Sequence, residues 1–299
     1  MDRALAAAVE RAVAEREGGE VRITGSRGVS GGCIHDARLV ELADGRRLFV
    51  KSDAARPGAS ADLFEREAEG LAALAEPGAI RVPRDPLPGR DGDLLFLAME
   101  AIPTGRPGPG FFAGFGRRLA ELHRTTAADR CGFHHDNYLG GSPQPNPWTA
   151  RWPDFFRNHR LGHQLELARR RGRSDPELDR LGDRLLARLD EWLDVPAEPS
   201  CLLHGDLWSG NYLADDRGAP VLVDPAAYHG HREADLAMTR LFGGFSEDFY
   251  AAYEETWPLP AGSAERTDLY QLYHLLNHLN LFGEGYRGRC LATLRRYAG

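Results

Sequence analysis

Lysine is almost missing from this chain. Among 299 residues with 37 basic side chains, Lys51 is the single lysine and arginine supplies the other 36. An ammonium is a compact point charge suited to a phosphate oxygen, whereas a guanidinium is a broad planar fork. The one position that keeps an ammonium is therefore a candidate for a role arginine does not fill. Cysteine is sparse as well: Cys33, Cys131, Cys201 and Cys290 are widely spread and form no C-x-x-C pair, which argues against a disulfide framework or a zinc site and for reduced thiols. Long apolar runs are lacking. Residues 4–9 and 94–99 are the longest, far short of the roughly 20 residues of a spanning helix. Glu10, Glu15 and Glu17 fall where an export signal keeps an apolar centre, so a cytoplasmic protein with no membrane partner is expected. Nor is there a surplus of positive charge. Asp and Glu outnumber Lys and Arg by 44 to 37, a formal net charge of −7, which disfavours nucleic acid or an anionic lipid surface as a partner.

What is present is the composition of an ordinary globular protein, 42% hydrophobic and 27% charged, long enough for about two domains. Residues 1–18 read as a helix ending near Gly18-Gly19. Strands are expected at 21–23, around 37–42 and at 47–51, with a Gly/Ser-rich stretch at 25–32 and Asp44-Gly45 as a hairpin turn. Leu63, Ala68, Leu71 and Leu74 recur at helical spacing over 62–74, and 94–99 reads as a buried strand. A segment dense in Pro and Gly, 102–110, then separates a small β-rich lobe, residues 1–101, from a larger helical lobe, residues 102–299. In the larger lobe, helices are expected at 111–126, 152–170, 176–193 and 268–282. A Gly/Pro/Asn/His loop covers 132–147, and short strands fall near 212–213 and 221–223. The fold class is α+β, in two lobes.

The strongest chemical signal is His204-Gly205-Asp206-Leu207-Trp208-Ser209-Gly210-Asn211, followed eleven residues after Ser209 by Pro220-Val221-Leu222-Val223-Asp224. An Asp, an Asn five positions on, and a short hairpin ending in a second Asp match the catalytic loop and metal carboxylate of kinase-type phosphotransferases. Asp206 can accept the proton of an attacking hydroxyl, while Asn211 and Asp224 offer hard oxygen ligands to Mg²⁺, which neutralises charge on a transferring phosphoryl group. Lys51 then fits. It ends a strand some 20 residues after Ser30-Gly31-Gly32 and precedes a helix bearing Glu65, Glu67 and Glu69, the order in which a kinase small lobe sets out its phosphate loop, its phosphate-binding lysine and the glutamate that holds it. The glycines allow backbone N–H groups to approach phosphate closely.

These segments resemble the fructosamine-3-kinase (ketosamine-3-kinase) family, a branch of the aminoglycoside-phosphotransferase-like kinases of the protein-kinase-like superfamily. The resemblance covers nearly the whole chain. It is carried most specifically by Gly31-Gly32-Cys33-Ile34-His35, Phe64-Glu65-Arg66-Glu67-Ala68-Glu69-Gly70-Leu71, residues 132–148, the 204–211 motif and residues 274–283. It implies a bilobal kinase-like fold, with an antiparallel sheet in the small lobe. It also implies ATP-dependent phosphorylation, with Mg²⁺, of the 3-hydroxyl of a ketoamine, either a small molecule or a glycated protein. The 3-phosphate then eliminates and frees the amine. Residue by residue, the resemblance implies that Asp206 is the base and that Asn211 and Asp224 hold metal. Lys51 pairs with Glu67 rather than Glu65 or Glu69, Ser30, Gly31 and Gly32 cradle phosphate, and the chain at Met99, Glu100 and Ile102 meets adenine. Asp224 is followed by Pro225-Ala226 rather than Phe-Gly and no activation-loop phosphosite follows, so a small acceptor is favoured over a protein hydroxyl.

For the acceptor, Trp208 beside the base and His278 and Asn280 near the C-terminus are the candidates. His134, His135 and Asp136 invite a metal reading, but adjacent histidines on a loop tend to point apart, which favours structural hydrogen bonding. Asp235 is expected to brace the catalytic loop. Cys33, inside the phosphate loop, is a candidate redox-sensitive thiol, so the chain is expected as a monomer or as a homodimer formed on oxidation. Two alternatives stand beside this reading. One is a related kinase of aminoglycosides, choline or another amino alcohol; the other is an inactive nucleotide-binding scaffold, against which the intact set Lys51, Asp206, Asn211 and Asp224 speaks.

Overall fold

The computed structural model describes residues 1–29, 35–54, 61–193 and 198–299. Ser30, Gly31, Gly32 and Cys33 lie outside the described residues. The chain divides into two compact units, Met1–Pro109 with Tyr212–Asp224, and Gly110–Asn211 with Pro225–Gly299.

In the first unit, helix α1 (Arg3–Glu17) starts under Asp2, whose carboxylate accepts from Ala4 N, and stops at Gly18 in the left-handed region. Its apolar face, Leu5, Ala8, Val9 and Val13, packs on Val40, Val50, Phe96 and Ala98. These last four come from a five-stranded antiparallel sheet of β1 (Ile23–Gly28), β2 (Asp36–Leu42), β3 (Arg47–Ala54), β4 (Leu87–Asp91) and β5 (Leu94–Glu100), in the order β1-β2-β3-β5-β4. Strand β1 runs further into the Gly/Ser stretch than the side chains announce. Its pairing with β2 from Gly25 to Gly28 uses main-chain groups, and an exposed edge strand needs no apolar alternation. Helix α2 (Leu63–Ala75) buries Phe64, Ala68, Leu71 and Leu74. Strands Tyr212–Ala214 and Pro220–Leu222 form a hairpin tied to this unit by Arg81, which bridges Glu100 at 2.6 Å and Asp215 at 2.8 Å, and by Gly105 N donating to Ala214 O. A Cβ on Gly105 would stand 2.6 Å from Asp215 O, so only glycine lets the two chains meet here.

The second unit is mostly helical. It holds α3 (Phe111–Thr125), a small hairpin of β6 (Asn137–Leu139) and β7 (Ser142–Gln144), α4 (Trp152–Phe156), α5 (Gly162–Arg170), α6 (Pro176–Arg188) and α7 (Asp190–Leu193). Strands β8 (Cys201–Leu203) and β9 (Tyr228–Gly230) follow, with α8 (Glu233–Leu241), α9 (Glu247–Thr256), α10 (Ser263–Phe282) and α11 (Arg287–Ala298). Helix α3 lies against α9 so closely that a Cβ on Gly116 would sit 2.1 Å from Phe249 O. The helix expected through 152–170 is interrupted by a π turn at Arg157–Leu161, a local widening common at functional sites. It carries Arg160 inward, where the fully buried guanidinium lies 3.9 Å from the Tyr228 ring centre and donates to Pro145 O and Asn146 Oδ1. The expected helix 176–193 divides at Leu189 into α6 and α7. The loop expected at 132–147 contains the hairpin β6–β7. The antiparallel sheet and the many helices make this an α+β fold. Among the described residues no helix is long and apolar enough to cross a membrane.

Candidate active site

Strand β3 sits in the middle of its sheet, paired with β2 on one side and β5 on the other, and this holds Lys51 between Ala37 and Leu97. Its ammonium donates to Glu67 Oε1 at 2.7 Å and to Asp224 Oδ1 at 2.5 Å. The Lys51 side chain is 8% exposed and that of Asp224 41%, so the carboxylate partner remains open to solvent while the ammonium is enclosed. Burial alone would lower the Lys51 pKa, but the charges of Glu67 and Asp224 outweigh it and hold the ammonium protonated well above its ordinary range. Of the three glutamates on α2, Glu67 meets the lysine, while Glu69 is bound to Arg66 at 2.8 Å. Asp224 has φ +57°, a left-handed conformation that costs little for aspartate and turns the chain sharply before Pro225.

The second unit builds Asp206 from the backbone outward. Gly205, at φ +82°, packs so closely that a Cβ would lie 2.0 Å from Ala226 O, and Ala226 N donates to His204 O. The loop is held from beneath by Asp235, 1% exposed, which accepts from His204 N at 2.7 Å, Gly205 N at 2.9 Å and the His123 ring at 3.3 Å. Burial pushes the Asp235 carboxyl up, but the His123 contact, the nearby histidine charges and the Gly205 amide prevail and keep it below the usual carboxylate range. The expected brace is therefore present. Asn211 directs Nδ2 to Asp206 O at 2.8 Å and Oδ2 at 3.1 Å, which fixes the orientation of its amide.

Around this loop, residues 132–147 form a polar scaffold. Asn137 donates to Ala227 O, Gln144 to Asn137 Oδ1 and Ala226 O, and Tyr273 to Gln144 Oε1. Asp136 accepts from Asn146 N at 2.7 Å. The His134 and His135 rings do not diverge as expected; they lie 4.9 Å apart, edge to face.

Trp208 is half-buried, 6.0 Å from Phe242, and a Cβ on Gly210 would meet its ring at 2.4 Å. His278 packs against Phe242, Phe282 and Tyr286, with Nδ1 on His274 O at 2.7 Å. Asn280 is buried and donates to Gln164 O and Oε1. Met99 is buried in β5, and Ala101 N donates to Arg47 O. The Glu100 carboxylate is committed to Arg81 and Arg84, and its N–H donates to Arg84 O. A residue the sequence reading passed over is His274, buried on α10 with Nδ1 3.8 Å from Asp206 Oδ1. On a helix that also carries His278, Asn277 and Asn280, its spacing alone does not single it out.

A model of the fructosamine kinase family matches residues 5–298. The chain is 42% identical over 286 residues to the chloroplastic protein-ribulosamine 3-kinase of Oryza sativa subsp. japonica, covering 94% of this chain and 81% of that one. It superposes with a TM-score of 0.84 on the crystal structure of a Thermobifida fusca protein of the fructosamine-3-kinase type, at 37% identity over 96% and 97% of the two chains. An aminoglycoside phosphotransferase, APH(4)-Ia, solved with AMP-PNP and hygromycin B, matches with a TM-score of 0.66 at 20% identity over 97% and 99% of the chains, a likeness of the kinase-like fold.

Proposed function

The chain belongs to the fructosamine kinase family, and from that premise we propose that it transfers the γ-phosphoryl group of ATP to the 3-hydroxyl of ketosamines. The acceptors are fructosamines and ribulosamines, free or on protein, and phosphorylation leads to release of the amine. The observation that carries the reading is Lys51 fastened between Glu67 and Asp224, the kinase arrangement for holding ATP phosphates, in a chain that has no other lysine.

Each side chain then has a task. Asp206 orients the acceptor hydroxyl and takes its proton. Lys51 meets the α- and β-phosphates and Glu67 fixes its position. The main chain at Met99, Glu100 and Ile102 faces adenine, and Ser30, Gly31 and Gly32 belong to the phosphate loop of this reading. The donor set fits Mg²⁺: an open carboxylate on Asp224 and an amide oxygen on Asn211 are the hard ligands this cation prefers. When bound, Mg²⁺ supplies charge neutralisation at the phosphates. Asp224 offers its oxygens from a left-handed turn, and the Asn211 amide is oriented by Asp206. Trp208 offers a ring face to the acceptor, His278 and Asn280 belong to the acceptor side, and most of the catalysis is positioning and charge stabilisation. In this reading residues 1–101 make the nucleotide lobe and residues 102–299 the catalytic and acceptor lobe.

ADP formation measured with ribulose and fructose adducts of lysine, beside a panel of aminoglycosides and choline, tests the reading. Turnover on the ketosamines and none on the others is expected. Turnover confined to aminoglycosides or choline would replace it with an antibiotic- or choline-kinase activity.

A further inference from the structure

His274 is 5% exposed in the middle of α10, and its Nδ1 makes no hydrogen bond among the described residues. That nitrogen faces Oδ1 of Asp206 at 3.8 Å, beyond hydrogen-bonding distance. Asp206 Oδ2 is turned to Asn211. A buried polar atom left without a partner costs stability that an apolar side chain of similar size would not. Among the other polar residues of this helix segment, Asn277 bonds Leu139 O and Gln164, His278 bonds the His274 carbonyl, and Asn280 donates through Nδ2 to Gln164 while its Oδ1 has no partner among the described residues. What distinguishes His274 is that its unpartnered nitrogen faces the carboxylate of Asp206.

Its charge state is set by the surroundings. Burial, then His278 and Arg160, push the His274 pKa down to about 3, so the ring is neutral at physiological pH. A neutral imidazole that turns one nitrogen to a carboxylate carries its hydrogen there, because a lone pair in that place would face the anion. Nδ1–H is therefore a preset donor.

We propose that His274 is a specificity-determining residue whose Nδ1–H donates to the C2 ketone oxygen of the acceptor while Asp206 receives the proton of the neighbouring 3-hydroxyl. This rests on the ketosamine reading above. The spacing suits two vicinal oxygens: they lie roughly 3 Å apart when gauche, and bonds of about 2.7–3.0 Å from each reach two partners 3.8 Å apart. A ketone oxygen only accepts, so its partner must donate, whereas an alcohol oxygen does either. The donation also draws electron density from C3 and acidifies the 3-hydroxyl. As the O3–P bond forms, the P–O bond to the leaving ADP breaks, the hydroxyl proton passes to Asp206, and His274 keeps its own proton.

The test compares kcat/KM for fructosyl-lysine and for the same compound reduced at C2 to the alcohol, in wild type, His274→Leu, His274→Gln and His274→Asn. Wild type is expected to favour the ketone at least 10-fold. His274→Leu should lose about 10- to 100-fold on the ketone and bring the ratio of the two substrates near one. Asn places an amide nitrogen near Nδ1 and should restore most of the preference; Gln, which reaches the Nε2 position, should not. Because the readout is a ratio, a general loss of packing does not mimic it, and His274→Gln serves if His274→Leu does not fold. A wild-type ratio retained in both His274→Leu and His274→Gln overturns the role of His274 alone. No turnover of fructosyl-lysine or ribulosyl-lysine by wild type overturns the ketosamine reading as well.

Discussion

Lys51 and Asp224 are separated by 173 residues in the chain, and their side chains meet at 2.5 Å. The contact is made inside one compact unit, because the 212–222 hairpin is tied back to the first sheet through Arg81 and Gly105. Replacing Lys51 leaves two carboxylates without their cation. Lys51→Met is expected to lower kcat/KM for ATP by about 100-fold or more, the scale of losing a preorganised charge at a transferring group. Lys51→Arg should not rescue it, since the enclosed site was shaped around an ammonium. Glu67→Gln should weaken ATP use, whereas Glu65→Gln should not; equal effects would remove the assigned pairing. ADP release followed with circular dichroism separates loss of activity from loss of fold.

If Asp206 is the base as proposed, Asp206→Asn keeps the size of the side chain and removes the proton acceptor. A fall of about 10²–10⁴-fold in kcat is expected with the affinity for ATP retained, measured by steady-state kinetics and by nucleotide titration. Unchanged turnover would reject the base.

Gly205 is confined by a positive φ and by Ala226 O at 2.0 Å from a notional Cβ. Gly205→Ala is therefore expected to cost about 1–3 kcal/mol or more through a forced backbone shift, to lower the melting temperature by several degrees in a thermal scan, and to reduce kcat, since Asp206 is the next residue. A melting curve matching wild type would contradict the packing at this turn.

His274 also predicts a pH dependence. Its folded pKa lies near 3 against an ordinary 6.5, so between those values the unfolded chain binds a proton that the folded chain refuses. The stability linked to this group is complete above pH 6.5 and declines as pH falls toward 3, by at most about 1.4 kcal/mol per pH unit. Urea midpoints of wild type and His274→Asn, taken between about pH 7 and about pH 4, should show wild type losing stability faster. A constant difference across the range would contradict it.

Residue spacing and residue type made much of the fold legible. The single lysine, the Asp206–Asn211 interval and the hairpin ending in Asp224 are local patterns, and the sheet around Lys51 announced itself through Asp44-Gly45 and the apolar residues of 94–99. The strands Cys201–Leu203 and Tyr228–Gly230 were not legible, because three residues carry no periodicity. Nor was the π turn at Arg157–Leu161, where packing of a buried guanidinium on Tyr228 overrides an uninterrupted helical pattern. The choice among Glu65, Glu67 and Glu69 came from family resemblance; the structure gives the physical reason, since Glu67 Oε1 lies on Lys51 and Glu69 is taken by Arg66. His274 was hidden among helix residues because only the tertiary fold brings it beside Asp206.

The account is tested most directly by ³¹P NMR and mass spectrometry of ribulosyl-lysine incubated with the protein, ATP and Mg²⁺. It predicts one phosphate on the C3 oxygen, followed by appearance of free lysine, with neither product formed by Asp206→Asn. Phosphate at another position of the sugar, or product formation that survives Asp206→Asn, would contradict it.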